Sequence, residues 1–405
     1  MNVLFLSPGY PPEMPHFVRG LCEAGASVIG VGDQDESAIP AVARENLSAY
    51  VRVGGFGDEE PILSAVESFA TRVRIDRVEC MWEPLIVLAA RLRERFSLPG
   101  MTIAESVPFR DKEIMKQTLD AAGIRTPAHF RAHTVPEVLE AVERIGFPII
   151  VKPIAGAGSK DTHRCDSRAE LDAILPQIRH VSEVSVEEFV DAEEFTFDTV
   201  CADGRILYYN VCAYRPRPLV ARQLEWISPQ TIALRNPDVE YLEPGLSLGR
   251  TVLEAMGFKT GFTHMEWYRR PDGVAVFGEI AARPPGAFTV DIMNYASDID
   301  LFRGWANATL HGTLGQPVER RYNCASIFKR AEGSGRIRRI DGLGPLVAEL
   351  GPHIVHMDLL PVGAQRRNWL QTLISDGIVV LRHPDLETTM RMADRVGTDL
   401  QLIAS

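Results

Sequence analysis

The sequence predicts a multidomain protein of mixed class, α/β and α+β. An open parallel α/β sheet is expected over residues 1–105, an α+β body over 106–310, and a smaller α/β lobe over 311–405. Three observations predict this order. Apolar runs of strand length alternate with helical patterns up to residue 105, as in a parallel sheet with crossover helices. From Arg110 the texture changes to capped helices around a glycine-containing loop, and after residue 182 to a block of strands. The last segment closes with a strand, "GIVVL", and an amphipathic helix.

Taken in order, residues 2–6 read as a buried strand ending at Ser7-Pro8-Gly9. A helix pattern over 15–24 and a second apolar strand, "SVIGVG" at 27–32, follow. "VECMW" then precedes the helical "LIVLAARLRERF". No GxGxxG follows the first strand, so a dinucleotide site is not expected there. In "DKEIMKQTLDAAGIRTP", Met115, Leu119 and Ala122 form one stripe of a helix stopped by Gly123 and Pro127. Thr134 with Glu137, and Ser167 with Glu170, fit capping boxes before two further helices. Next come the strands "VSVEEFV" and "EFTFDTVCADGRILYYNVCAY", the second broken by a turn at Asp203-Gly204. The final helix places Leu386, Met390, Ala393 and Val396 on one face.

The 405 residues are 45% hydrophobic and 24% charged, ordinary values for a globular chain. A net charge of −11 argues against nucleic-acid or anionic-membrane partners, which reward a basic surface. The six cysteines (22, 80, 165, 201, 212 and 324) show no CxxC or zinc spacing and read as thiols. The start, "MNVLFLSPGYPP", has no basic region ahead of its apolar run and reads as a first strand. No apolar run approaches the ~18 residues of a spanning helix. The expected location is the cytoplasm.

"AGAGSKD" looks like a P-loop but lacks Gly-Lys-Ser/Thr, so Walker A is excluded. Small residues after a strand still let backbone N–H groups approach an anion. Lys152, in the otherwise apolar "FPIIVKP", is costly unless its ammonium has a partner; a phosphate or a structural ion pair would serve. In "SVEEFVDAEEFTFD", strand alternation puts Glu194, Thr196 and Asp198 on one face and Phe195 and Phe197 on the other. "MEWYRRPDGVAVFGE" carries an Asp272-Gly273 hairpin signal of type I′. That turn sets Glu266 directly opposite Glu279. Like charges so placed repel, and something positive is expected between them.

Taken together, these pieces resemble the ATP-grasp superfamily, which includes biotin carboxylase, D-alanine–D-alanine ligase and peptide-forming carboxylate–amine ligases. The resemblance rests on Asp111-Lys112 opening a helix, "FPIIVKP" with its loop, "EEFVDAEEFT", "HMEWY" and "GEIAAR". It covers about 75–315. It implies a Rossmann-like pre-ATP-grasp domain over 1–105 and an ATP-grasp domain over 106–310, two α+β lobes holding ATP between them. A mobile lid lobe at about 125–190 and a small C-terminal lobe over 311–405 complete that scheme. Lys112 and Lys152 would contact phosphates, and Gly156, Gly158 and Ser159 would lie in the loop covering them. Glu187 would meet the adenine amino group, Glu188 and Val190 would offer backbone hydrogen bonds to the ring, and Glu194 would bind ribose. Glu266 and Glu279 match ligands of Mg²⁺, with Mn²⁺ an alternative. The usual Glu-x-Asn-x-Arg reads here Glu279-Ile-Ala281-Ala-Arg283. Alanine cannot ligate, which puts a second metal in doubt. His264 falls opposite Ala281 by the hairpin register and is expected to contact substrate or metal.

The function implied is an ATP-dependent carboxylate–amine ligase working through an acyl phosphate. Lys152 and Arg283 would serve the chemistry, the arginine at the developing oxyanion. Biotin carboxylase-like carboxylation, or a nucleotide-binding protein that no longer catalyses, are the alternatives. Arg215, Arg217 and Arg222 in "CAYRPRPLVARQ" read equally as substrate-binding groups or solvated loop charges. Small carboxylate and amine substrates, and a second copy of the chain in a homodimer, are the implied partners.

Overall fold

The structure is a computed structural model, and it describes residues 1–155, 161–372 and 374–405. The first unit is a four-stranded parallel sheet in the order Leu47–Arg52, Ser27–Gly32, Asn2–Leu6, Arg77–Glu79. Val3, Leu4, Phe5 and Leu6 are fully buried, as expected of a strand covered on both faces. The outer strand Leu47–Arg52 was not apparent from the sequence, because its residues are half-exposed and show no apolar run.

The second sheet is antiparallel, in the order His129–Ala132, Val184–Glu188, Ile149–Pro153, His163–Cys165. The third has nine strands. It runs from the hairpin Ala275–Ala281 and Gly261–Arg269 through Glu193–Ala202, Cys212–Arg215 and Gln230–Ala233 to Asn323–Lys329, Gly377–His383 and Ile354–Leu359. Arg205–Asn210 pairs beside Glu193–Ala202. Strands from both sides of residue 310 therefore share one sheet, with a small three-stranded sheet completing the carboxy-terminal segment. The amino-terminal unit is joined to this central sheet by a common core. Phe17 of helix Met14–Glu23 packs edge-on against Phe302, Trp305 and Phe262, with ring centroids 4.9, 5.2 and 6.4 Å away. Such pairs add ~0.5–1.5 kcal/mol each beyond the area they bury.

Three local expectations change. The helix Lys112–Ala121 buries Lys112, Glu113, Met115, Lys116 and Leu119, while Ala122 lies past its end and is exposed. Its inward face is half polar because it supplies charge to the cleft described below. Thr134 and Glu137 form the expected reciprocal capping box. At Ser167 only half of one forms, since Glu170 accepts from the Asp166 N–H instead. The last helix, Leu386–Asp399, buries Thr389, Met392, Ala393 and Val396; Leu386 is 39% exposed because it sits at the mouth of a cavity. All six cysteines are thiols, Cys22 exposed and five buried. Among the described residues no helix is long and apolar enough to cross a membrane.

Candidate active site

The site is built on the hairpin. Glu266 lies opposite Glu279 and His264 opposite Ala281, as expected, but the route differs. A type I′ turn at Asp272-Gly273 would require Pro271 to donate a ladder hydrogen bond, and proline has no N–H. The turn instead centres on Pro271-Asp272. The Gly273 N–H donates to the Arg270 carbonyl at 2.9 Å, Arg270 pairs with Val274, and only Gly273 has positive φ, 85°. That slips the pairing by one residue, so Trp267 faces Phe277. A bulge at Gly278 restores it, bringing Glu279 back across from Glu266. Only glycine fits there: a Cβ would stand 2.7 Å from the Glu266 carbonyl oxygen.

Positive charge does lie beside the pair. Lys112 Nζ is 3.3 Å and Lys152 Nζ 3.9 Å from Glu279 Oε2. Burial opposes the Glu279 charge, but the two ammonium groups outweigh it and hold its carboxyl below the usual range. Lys152 also lies 3.0 Å from Glu187 Oε2, and Lys116 takes Oε1 from behind. Burial works against the Glu187 charge too; Lys116 and Lys152 prevail and hold its carboxyl well below the usual range. Each oxygen of Glu187 thus already carries a lysine. Lys116 was missed from the sequence, although its place one turn after Lys112, between Met115 and Leu119, was the available signal.

Around these lie the other expected residues. Glu188 is paired with Arg125 at 2.9 Å, and its N–H donates to the Ala128 carbonyl. Any bond from Glu188 to a base therefore falls to its carbonyl. Val190 is buried and lines the cleft. Glu194 is buried, with Arg217 Nε 3.3 Å away. Burial and the charge of Glu266 push Glu194 up to about 8, while Arg217 pulls it down. Gly156, Gly158 and Ser159 lie outside the described residues. Of the three arginines left open, Arg217 reaches the cleft, over the faces of Phe189 and Tyr268. Arg215 binds Gln230 and Asp394, and Arg222 donates to the Leu370 carbonyl.

His264 Nδ1 lies 2.6 Å from Asp198 Oδ1, and Nε2 lies 3.7 Å from Glu266 Oε1. Asp198, fully buried, also accepts from Thr196 and Asn210. Burial lowers the His264 pKa, but bonds to Asp198 and Glu266 push it up to about 9. Nδ1 is thus engaged by Asp198, and Nε2 is the ring nitrogen that faces Glu266. Arg283 is ion-paired to Glu83 at 2.7 Å, and Glu83 also holds Arg110. Glu83, from the amino-terminal unit, had no sequence signal pointing to this role.

Among the described residues no cluster of three His, Cys, Asp or Glu side chains stands ready for a metal. Glu266 and Glu279 form a two-carboxylate donor pair. That suits a hard cation such as Mg²⁺, which keeps waters and takes further oxygens from phosphates.

Residues 111–195 match the family model described as the carbamoyl-phosphate synthase L chain, ATP-binding domain. The chain is 28% identical over 243 residues to the L-arginine-specific L-amino acid ligase of Bacillus subtilis, a match covering 58% of each protein. It is 31% identical over 209 residues to a D-alanine–D-alanine ligase of Clostridium perfringens, 48% of this chain and 60% of that one. The matched stretches span less than two thirds of either relative. In fold it is similar to the crystal structure of an L-amino acid ligase from Bacillus licheniformis, with TM-score 0.80, 20% identity, and 100% and 98% of the two chains covered.

Proposed function

We propose that this chain, which belongs to the ATP-grasp superfamily, is an ATP-dependent ligase that joins a carboxylate to an amine through an acyl phosphate. The observation that carries the reading is the facing pair Glu266 and Glu279, flanked by Lys112 and Lys152 on the cleft wall. Nucleotide phosphates would take over the lysines that now sit on Glu279. Mg²⁺ held by Glu266 and Glu279 would supply charge neutralisation on those phosphates. Glu188 and Val190 would meet the base and Glu194 the ribose. Arg283, fixed by Glu83, would face negative charge developing on the acyl group.

In the first half-reaction a carboxylate oxygen bonds to the γ-phosphorus and the bond to ADP breaks. In the second, the amine bonds to the acyl carbon, phosphate leaves with one carboxylate oxygen, and the amine gives up a proton. These steps need little from the protein beyond positioning and charge, which is what the cleft offers.

The test is phosphorus NMR on the protein with Mg-ATP and a pool of amino acids and small carboxylates. Acceptor-dependent ADP and phosphate are expected. AMP and pyrophosphate would overturn the reaction class. Intact ATP, bound tightly in a parallel titration, would favour the second reading that Ala281 motivates, a nucleotide-binding protein without turnover.

A further inference from the structure

Beyond the cleft lies a second, larger space. The nucleotide cleft holds about 100 Å³, against about 1010 Å³ for the neighbouring cavity. The cavity floor is a cross-strand row, Phe195, Ala213 and Ile232, on the sheet face opposite Glu194 and Thr196. Its walls combine apolar side chains with Arg215, Arg217, Arg269 and Arg270 and the carboxylates Asp191, Glu193, Glu194 and Asp385, and they open to solvent at Val239 (42% exposed) and Leu386 (39%). Glu194 and Arg217, an ion pair at 3.3 Å, are common to the linings of both spaces.

We propose that this cavity is a regulatory site for a small carboxylate with an apolar chain, and that such a ligand opens the nucleotide cleft by drawing Arg217 off Glu194. The inference rests on the nucleotide reading of the cleft given above.

The choice of ligand follows from the lining. The apolar floor takes a hydrocarbon chain, and a space of this size lies at the upper end of small-molecule pockets, ~300–1,000 Å³. The cations tell which polar group would anchor it. Arg215 is held by Gln230 and Asp394, and Arg269 lies on the Tyr241 ring while donating to its carbonyl. Arg217 is held at Nε by Glu194 and over the Phe189 and Tyr268 rings, while among the described residues its Nη1 has Asp191 at 4.0 Å, a side chain 95% exposed. Its fork can therefore accept a second carboxylate in the bidentate way guanidinium groups favour.

The coupling follows from where Arg217 now lies. Arg217 is paired with Glu194, the residue proposed for the ribose, and lies over Phe189 and Tyr268 in the nucleotide cleft. A carboxylate that binds only the withdrawn arginine shifts the population toward an open cleft by its differential affinity.

The experiment is calorimetric titration of Mg-ADP into the protein with and without saturating 3-phenylpropionate. The expected result is Mg-ADP binding tightened ~5–10-fold, the low end of measured site–site couplings. The uncharged 3-phenylpropionamide should have no effect. Val239→Glu and Leu386→Glu, both at exposed wall positions, should leave Mg-ADP affinity unchanged without the acid and abolish the tightening. Arg217→Ala should bind Mg-ADP equally with and without the acid, and as tightly as the native protein with it. If Mg-ADP binds but 3-phenylpropionate does not alter its affinity, or alters it equally in Val239→Glu, the regulatory site is overturned and the ligase reading stands. If Mg-ADP does not bind at all, both fall.

Discussion

At the scale of single residues, the most consequential side chain is one that touches no solvent. Lys116 is 1% exposed, and burial lowers its pKa to about 8 while Glu187 pulls it back up. It stands behind Glu187 as Lys152 stands in front, so one carboxylate is shared by two ammonium groups. The arrangement fixes where Lys152 points, because the lysine is held between Glu187 and Glu279 rather than loose in the cleft. Breaking a buried pair by removing one partner costs ~3–5 kcal/mol, because the other charge is left buried. Lys116→Met is therefore expected to destabilise the protein by about 3 kcal/mol in urea unfolding, and Lys116→Met with Glu187→Gln to recover part of that loss. A single variant as stable as the native chain would show that Lys152 alone satisfies Glu187. His264 makes a second residue-level case. His264→Ala removes the imidazole beside Glu266 and, among the described residues, leaves buried Asp198 with Thr196 and Asn210 as side-chain partners. Mg-nucleotide affinity should change and stability should fall; equal values for both would show the histidine to be dispensable.

At the scale of elements, two Asp-Gly turns with the same sequence signal fold differently, which shows what was legible and what was not. Asp203-Gly204 joins directly paired Ala202 and Arg205, with φ of 50° and 76°, the positive pair that a two-residue hairpin requires. Asp272-Gly273 does not, because the preceding proline cannot donate and moves the turn back one residue. The facing of Glu266 and Glu279 was nonetheless anticipated, since the bulge at Gly278 cancels the slip in the turn. A bulge leaves little trace in one sequence: a glycine within a strand was its only mark. Gly278→Ala tests that compensation. The added Cβ meets the backbone of Glu266 at 2.7 Å, where no side-chain rearrangement can relieve it. The hairpin should lose ~1–3 kcal/mol, the usual cost of overpacking. Mg-ADP affinity should fall more than metal-free ADP affinity, because the displaced atom belongs to Glu266, proposed to hold Mg²⁺. Equal loss with and without metal would detach the bulge from the proposed metal pair.

At the scale of the whole molecule, strand and helix patterns showed the parallel amino-terminal sheet and the change of texture near Arg110, because those are local periodicities. They did not show that strands beyond residue 310 extend the central sheet, nor that Glu83 and Arg283 meet across 200 positions, because pairing over such separations leaves no local pattern. Helix Thr289–Ser297 lies where these units meet. Val290 and Met293 pack into the core shared with Phe17, and Ile292 and Ala296 pack against Cys212 and Ala233 of the central sheet. The same helix holds Asp291, pushed up to about 7 by burial and by the charge of Glu13 from the amino-terminal unit. Glu13 is raised as well, chiefly by burial, even though it accepts from backbone N–H groups of Phe288 and Ala287 and faces Arg283. Two carboxyls drawn together across a seam favour protonation. Because the folded pKa of Asp291 lies above its ordinary 3.8, its contribution to stability is complete below about pH 4 and is lost as pH rises through about 7. Asp291→Asn removes that charge. Its melting temperature should match the native protein's near pH 4 and exceed it by about 1–3 °C at pH 8, the scale on which a modest free-energy gain moves the Tm of a large chain. Thermal melts of both proteins from pH 4 to 8 decide the matter: a difference that opens through pH 7 places the repulsion at the seam, and a flat difference shows that solvent or Arg283 has already neutralised it.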